Sequence, residues 1–154
     1  MNYIATSVEE TYKIASKIVK KYVKKYNIIF FLLYGNLGSG KTEFVKGVAE
    51  GLGFNKKQIK SPTFVYVTEI FNKNYKIFHI DLYRIDKKFV WDIVHDLLEN
   101  IDLERKKIVF CFEWANKISS ETKLWLSNIK QSVTLKVELK IISPTKREIV
   151  VNEE

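Results

Sequence analysis

The chain has 154 residues, a mass of 18.1 kDa and a composition of 46% hydrophobic and 29% charged residues, enough to bury a real core. That balance excludes a disordered chain and a collagen-like fibre, and a single cysteine, Cys111, excludes a disulfide scaffold and fits a reducing compartment. The net charge is +8, but only Arg84, Arg105 and Arg147 are arginines, so the excess reads as a drift toward lysine rather than as a dedicated binding patch.

In chain order, the N-terminal segment reads as a helix. Ser7 and Glu10 have the spacing of a capping box, and Ala15, Ile18, Val19, Tyr22, Val23 and Tyr26 recur on one face. Lys13, Lys17, Lys20, Lys21, Lys24 and Lys25 mostly fall on the other, as expected of a helix that covers a sheet and solvates its lysines. Residues 28–34 are a continuous apolar run, the signature of a buried parallel strand. A glycine-rich loop and a helix over 41–52 follow. Strands are predicted over 64–71 and 75–83, joined by a turn at Asn72, Lys73 and Asn74. Then come a helix over 89–100, a second buried strand over 107–112, a short helix over 120–128, and strands over 133–142 and 147–151. The expected fold class is α/β: a single P-loop NTPase-like domain spanning 1–154, with a central, mostly parallel sheet flanked by helices and antiparallel C-terminal strands. The longest apolar run is far short of the roughly 20 residues that span a bilayer, and no targeting segment is visible, so a cytoplasmic location is expected.

All six glycines lie between Gly35 and Gly53. Gly35, Asn36, Leu37, Gly38, Ser39, Gly40, Lys41 and Thr42 fit the Walker A pattern, with a buried strand before it and a helix after it. In such a loop the backbone N–H groups and the helix N-terminus cradle phosphate oxygens. Lys41 is placed to reach the outer phosphates and the Thr42 hydroxyl to hold Mg2+, which makes ATP and magnesium the expected ligands. A P-loop also needs a carboxylate at the end of a neighbouring strand. Asp81 and Glu113 each follow an apolar strand and are the candidates, both as metal ligands and for orienting the attacking water. Asn116 and Lys117 approach the guanine-reading Asn-Lys-x-Asp motif, but Ser119 stands where the aspartate belongs, which points to adenine. Three arginines are too few for the usual small-molecule kinase, and none stands in a recognisable finger position, so turnover by the isolated chain should be slow.

The Walker A loop, then Ser61-Pro62-Thr63-Phe64, then His79-Ile80-Asp81-Leu82-Tyr83-Arg84, then Glu113-Trp114, occur in an order and spacing that resembles the bacterial TsaE family, also called YjeE. The resemblance implies a small P-loop ATPase needed for threonylcarbamoyladenosine formation next to the tRNA anticodon, with TsaB and TsaD as partners and tRNA engaged through them or directly. It places the magnesium ligands at Thr42, Asp81 and Glu113. It also places an early Glu-Thr pair, Glu10 and Thr11, near the adenine.

The remaining residues admit two readings each. Thr63 fits a γ-phosphate sensor or a stiffened start to a strand, and Arg84 a phosphate or partner contact or an ion pair. Trp114 reads as a wall of the nucleotide site rather than as core, His79 as a packed histidine rather than a base, and Trp91 and Trp125 as core or interface. The rival functions are a small-molecule kinase with an unusual lid and a basic ATP-binding RNA adaptor that does not hydrolyse.

Overall fold

A computed structural model describes residues 1–60, 66–99, 101 and 105–154. The elements are β1 (Asn2–Ala5), α1 (Val8–Val23), β2 (Ile28–Tyr34), α2 (Lys41–Gly51), β3 (Val67–Phe71), β4 (Tyr75–Asp81), α3 (Lys87–Glu99), β5 (Lys107–Glu113), α4 (Ser120–Ser127), β6 (Ser132–Ile141) and β7 (Arg147–Glu153), with 3₁₀ turns at Lys56–Gln58 and Ala115–Lys117. The seven strands form one sheet in the order β1-β7-β6-β2-β5-β4-β3. The inner four, β6, β2, β5 and β4, are mutually parallel, and antiparallel strands close both edges. The expected α/β class and the mostly parallel centre are therefore observed.

The continuous apolar runs follow from burial on two faces. Side chains alternate along a strand, so Ile29, Phe31 and Leu33 of β2 enter one core with α1 and α2, while Ile28, Phe30 and Leu32 enter a second core with α3 and α4. β5 divides the same way: Val109 and Cys111 face the first core, and Ile108, Phe110 and Phe112 the second. In the second core Phe110 stacks on Phe78 at 4.9 Å and on Phe30 at 5.2 Å. This parity has a consequence for chemistry. Ile77 of β4 shares the first core, so His79 and Asp81 continue its face, and Glu113 continues the face of Val109 and Cys111. Both strand-end carboxylates thus emerge on the side of the sheet that carries α2.

Some boundaries and one element differ from expectation. β1 pairs with β7 at the sheet edge, and its four residues carry too little pattern to be seen in the sequence. The strand expected from Phe64 is observed from Val67; residues 61–65, with the Ser61-Pro62-Thr63 segment and its proposed sensor Thr63, lie outside the described residues. The capping box of α1 forms by half. The Ser7 hydroxyl accepts from the Glu10 amide at 3.1 Å, but the Glu10 carboxylate takes the amide of Thr6 instead of that of Ser7. No described helix is long and apolar enough to cross a membrane.

Candidate active site

The loop between β2 and α2 is shaped by what lies against it. β6 outruns β2, which it pairs only as far as Glu138, and its next residue, Leu139, presses a carbonyl oxygen toward the loop. A Cβ on Gly35 would lie 2.6 Å from that oxygen and would collide with the Ser39 side chain, so only glycine fits. Gly40, with φ 103°, turns the chain into α2 through the left-handed region, which fixes where the helix N-terminus points. Lys41 and Thr42 therefore open α2 from a strand end and a helix end that are both packed into the first core.

Lys41 is buried and drawn inward. Its Nζ donates to the carbonyls of Gly35 at 2.6 Å and Asn36 at 3.1 Å, and it lies 4.0 Å over the Trp114 ring. Burial pulls its pKa below the ordinary lysine value, opposed by the negative charges of Glu113 and Asp81. Leu37 forms the exposed tip of the loop. Ser39 is buried, and its hydroxyl has no hydrogen-bond partner among the described residues.

Asp81 and Glu113 are register partners at the ends of adjacent parallel strands. Glu113 is buried and accepts from the Thr42 hydroxyl, at 3.0 Å to one oxygen and 2.9 Å to the other. Its second oxygen also contacts Nε2 of the buried His79. Asp81 is half-buried and accepts from the Tyr83 amide at 2.9 Å. Burial raises its pKa, the Tyr83 amide opposes that rise, and the Glu113 charge adds to it. Two carboxylates and a hydroxyl thus converge beside an N-terminal helix turn and a lysine. All three donors are hard oxygens, the set that suits Mg2+. Among the described residues no group of three or more His, Cys, Asp and Glu side chains is arranged as a metal cage.

Trp114 follows Glu113 with φ 59°, a left-handed conformation that is uncommon for a bulky side chain. The turn stands its ring between Lys41 and the Tyr83 ring, 4.8 Å away. Asn116 is exposed, and the Lys117 ammonium donates to the carbonyls of Tyr83 at 2.5 Å and Ile85 at 2.8 Å, clamping the loop that follows Asp81.

The structure brings together Asn36, Lys41, Thr42, Asp81, Glu113 and Trp114. Thr11 is buried on α1, and the next residue, Tyr12, donates its hydroxyl to Glu43 in the first turn of α2. Two participants escape sequence reasoning. His79 proves to be packed, as expected, but it is also the partner of Glu113. Arg147 donates from Nη2 to the Gly38 carbonyl at 3.1 Å, while its Nη1 holds the Ser143 and Pro144 carbonyls of its own hairpin, so it braces the 35–42 loop. No spacing rule announces a contact across 109 residues.

The sequence model of a family described as threonylcarbamoyl adenosine biosynthesis protein TsaE matches residues 5–149. The chain belongs to the TsaE family. It is 43% identical over 83 residues to the tRNA threonylcarbamoyladenosine biosynthesis protein TsaE of Aquifex aeolicus, covering 53% of this chain and 60% of the relative. With the protein of the same name from Borreliella burgdorferi it shares 38% identity over 84 residues, 54% and 58% of the two chains. These two alignments span less than two thirds of the relatives' length. The TsaE of Treponema pallidum aligns over 98% of this chain and 99% of its own, at 26% identity. Among solved structures, the crystal structure of Bacillus subtilis YdiB superposes with a TM-score of 0.61 at 26% identity, covering 97% of this chain and 82% of that one. The family match and the observed α/β fold thus agree with the resemblance.

Proposed function

We propose that this chain binds ATP with magnesium at the 35–42 loop and hydrolyses it as the ATPase subunit of tRNA threonylcarbamoyladenosine biosynthesis, acting with TsaB and TsaD. The observation that carries the reading is the contact of Thr42, at the start of α2, with Glu113 at the end of β5, beside Asp81. The loop amides and the Lys41 ammonium hold the phosphates and stabilise charge that develops on them. Thr42, Asp81 and Glu113 would hold magnesium, which when bound neutralises phosphate charge. Asp81 or Glu113 accepts a hydrogen bond from water and sets it in line with the outer phosphate. Trp114 and Tyr83 cover the site from the side and limit access of bulk solvent. The aspartate missing from the Asn116-Lys117 segment favours adenine over guanine.

The test is hydrolysis and tRNA modification in a reconstituted system with the partner proteins. Lys41→Ala should abolish hydrolysis. Glu113→Gln and Asp81→Asn should keep nucleotide binding and lower hydrolysis by a factor on the order of ten to a thousand, as for other single electrostatic contributors. Modification should fall with hydrolysis. Full multiple-turnover modification by both carboxylate variants would replace this reading with that of a non-hydrolysing ATP-binding adaptor.

A further inference from the structure

The proposed mechanism uses Glu113 but gives no work to the residue beneath it. His79 lies on β4, two positions before Asp81, and the register sets it opposite Cys111, two positions before Glu113. Its ring therefore reaches diagonally across to the carboxylate from the interior side of the sheet. It is 2% exposed, and Glu113 is the only hydrogen-bond partner of the ring among the described residues: Nε2 meets Oε2, and Nδ1 has none. A carboxylate only accepts, so Nε2 carries a proton and donates it. Among the described residues the ring makes no other hydrogen bond, and Ile77, Val109 and Cys111 are its neighbours in register and parity.

Glu113 has two tethers, His79 below and Thr42 above. The Thr42 tether is a single hydroxyl hydrogen shared between two oxygens. In the proposed ATPase that same hydroxyl would also hold the nucleotide's magnesium through an oxygen lone pair, so its position would follow the ion as well as the carboxylate. His79 has no competing task. A glutamate side chain is long and rotamer-rich, and a group that must align a water or a metal loses much of its effect when displaced by a fraction of an ångström.

We propose that His79 is a positioning residue, an imidazole strut that holds the Glu113 carboxylate in one orientation through the nucleotide cycle without touching the nucleotide. The proposal rests on the ATPase reading above. It requires His79 to act on turnover more than on nucleotide affinity, and to do so through one N–H donor at the Nε2 position.

The experiment compares the full-length chain with His79→Phe, which fills the space without a donor, and His79→Gln, whose amide places a donor near the Nε2 position. Hydrolysis is measured with saturating magnesium and ATP in the presence of the partner proteins, with Lys41→Ala as the blank, and affinity by titration with a fluorescent ATP analogue. His79→Phe should lower kcat about 10–100-fold, the usual cost of losing a partner that orients a ligating side chain, with affinity within about threefold of the parent. His79→Gln should recover most of the loss. Hydrolysis at the parental rate by His79→Phe, or a Gln variant no better than Phe, would overturn the proposal. If His79→Phe does not fold, His79→Asn, too short to reach the carboxylate, replaces it. A second readout is independent of turnover. In 15N-histidine NMR of a His95→Gln background, the His79 ring should be protonated at Nε2 with a slowly exchanging proton, and Glu113→Ala should shift that signal. A ring without a proton at Nε2, or a signal indifferent to Glu113, overturns the strut even when hydrolysis falls. If the parent hydrolyses no faster than Lys41→Ala, the ATPase reading fails instead, and the NMR result alone decides whether His79 holds Glu113.

Discussion

The two helical layers of this protein are built to different tolerances. Between α1 and α2 the backbones nearly touch: a Cβ on Gly47 would lie 2.7 Å from the Tyr12 carbonyl oxygen and 2.8 Å from the Ala15 Cβ, and one on Gly51 would lie 2.9 Å from the Ser16 Cα. Each of these helices buries six residues. On the opposite face α3 buries only Val90 and Val94, and α4 only Thr122 and Leu126. Phe89 is 52% exposed there and Trp91 44%, and Trp91 is held by ring contacts with His95 at 5.6 Å and Trp125 at 5.2 Å. The tight layer is the one that carries Lys41 and Thr42 and faces His79, Asp81 and Glu113. A helix whose first turn must present two side chains to a buried carboxylate has to be fixed along its length, and close backbone packing supplies that. The looser layer follows the Asp81–Tyr83 loop and has no buried polar group of the site to align.

The contrast can be broken most forcefully at Gly47. Gly47→Val forces side-chain atoms into a neighbouring backbone that cannot yield, and it should destabilise the chain by about 2–3 kcal/mol, measured by urea unfolding. If stability is unchanged, α1 and α2 can separate without cost and the two layers do not differ. In the other layer, Trp91→Ala removes an aromatic contact of a partly exposed ring and should cost about 1 kcal/mol or less, with hydrolysis unaffected. A loss as large as that of Gly47→Val would show α3 to be as firmly set as α2.

The smallest expected effect sharpens the comparison at the site itself. Asp81 has a raised pKa, chiefly from burial, so the folded chain holds its proton more tightly than the unfolded chain does. Its contribution to stability is then present at acidic pH, below about 4, and is lost as pH rises through the folded value. Asp81→Asn removes that loss. The variant should therefore melt slightly above the parent at pH 7, with the difference closing as the pH is lowered, even as it impairs hydrolysis. Equal melting temperatures across this range would mean that the site is not under electrostatic strain without its ligand.

Much of this was legible in local pattern. The alternation of β2 and β5, the amphipathic spacing of α1, and the strand–loop–helix context of Gly35 to Thr42 are properties of a few consecutive residues, so periodicity and composition were enough to read them. Apolar strands that end in Asp81 and Glu113 likewise announce where a carboxylate leaves a sheet. What local pattern cannot carry is which strands become neighbours and in what register. His79 reads as one more inward residue until β4 lies parallel to β5 and its ring meets a carboxylate 34 residues away. Arg147 is one basic residue among 26 until the β6–β7 hairpin folds over the 35–42 loop and brings it to Gly38. Even Lys117, which the sequence offers as half of a base-reading motif, takes its role from the two carbonyls it finds in space. Hydrogen bonds are satisfied by proximity in three dimensions, and proximity between distant segments is set by the packing of the whole sheet.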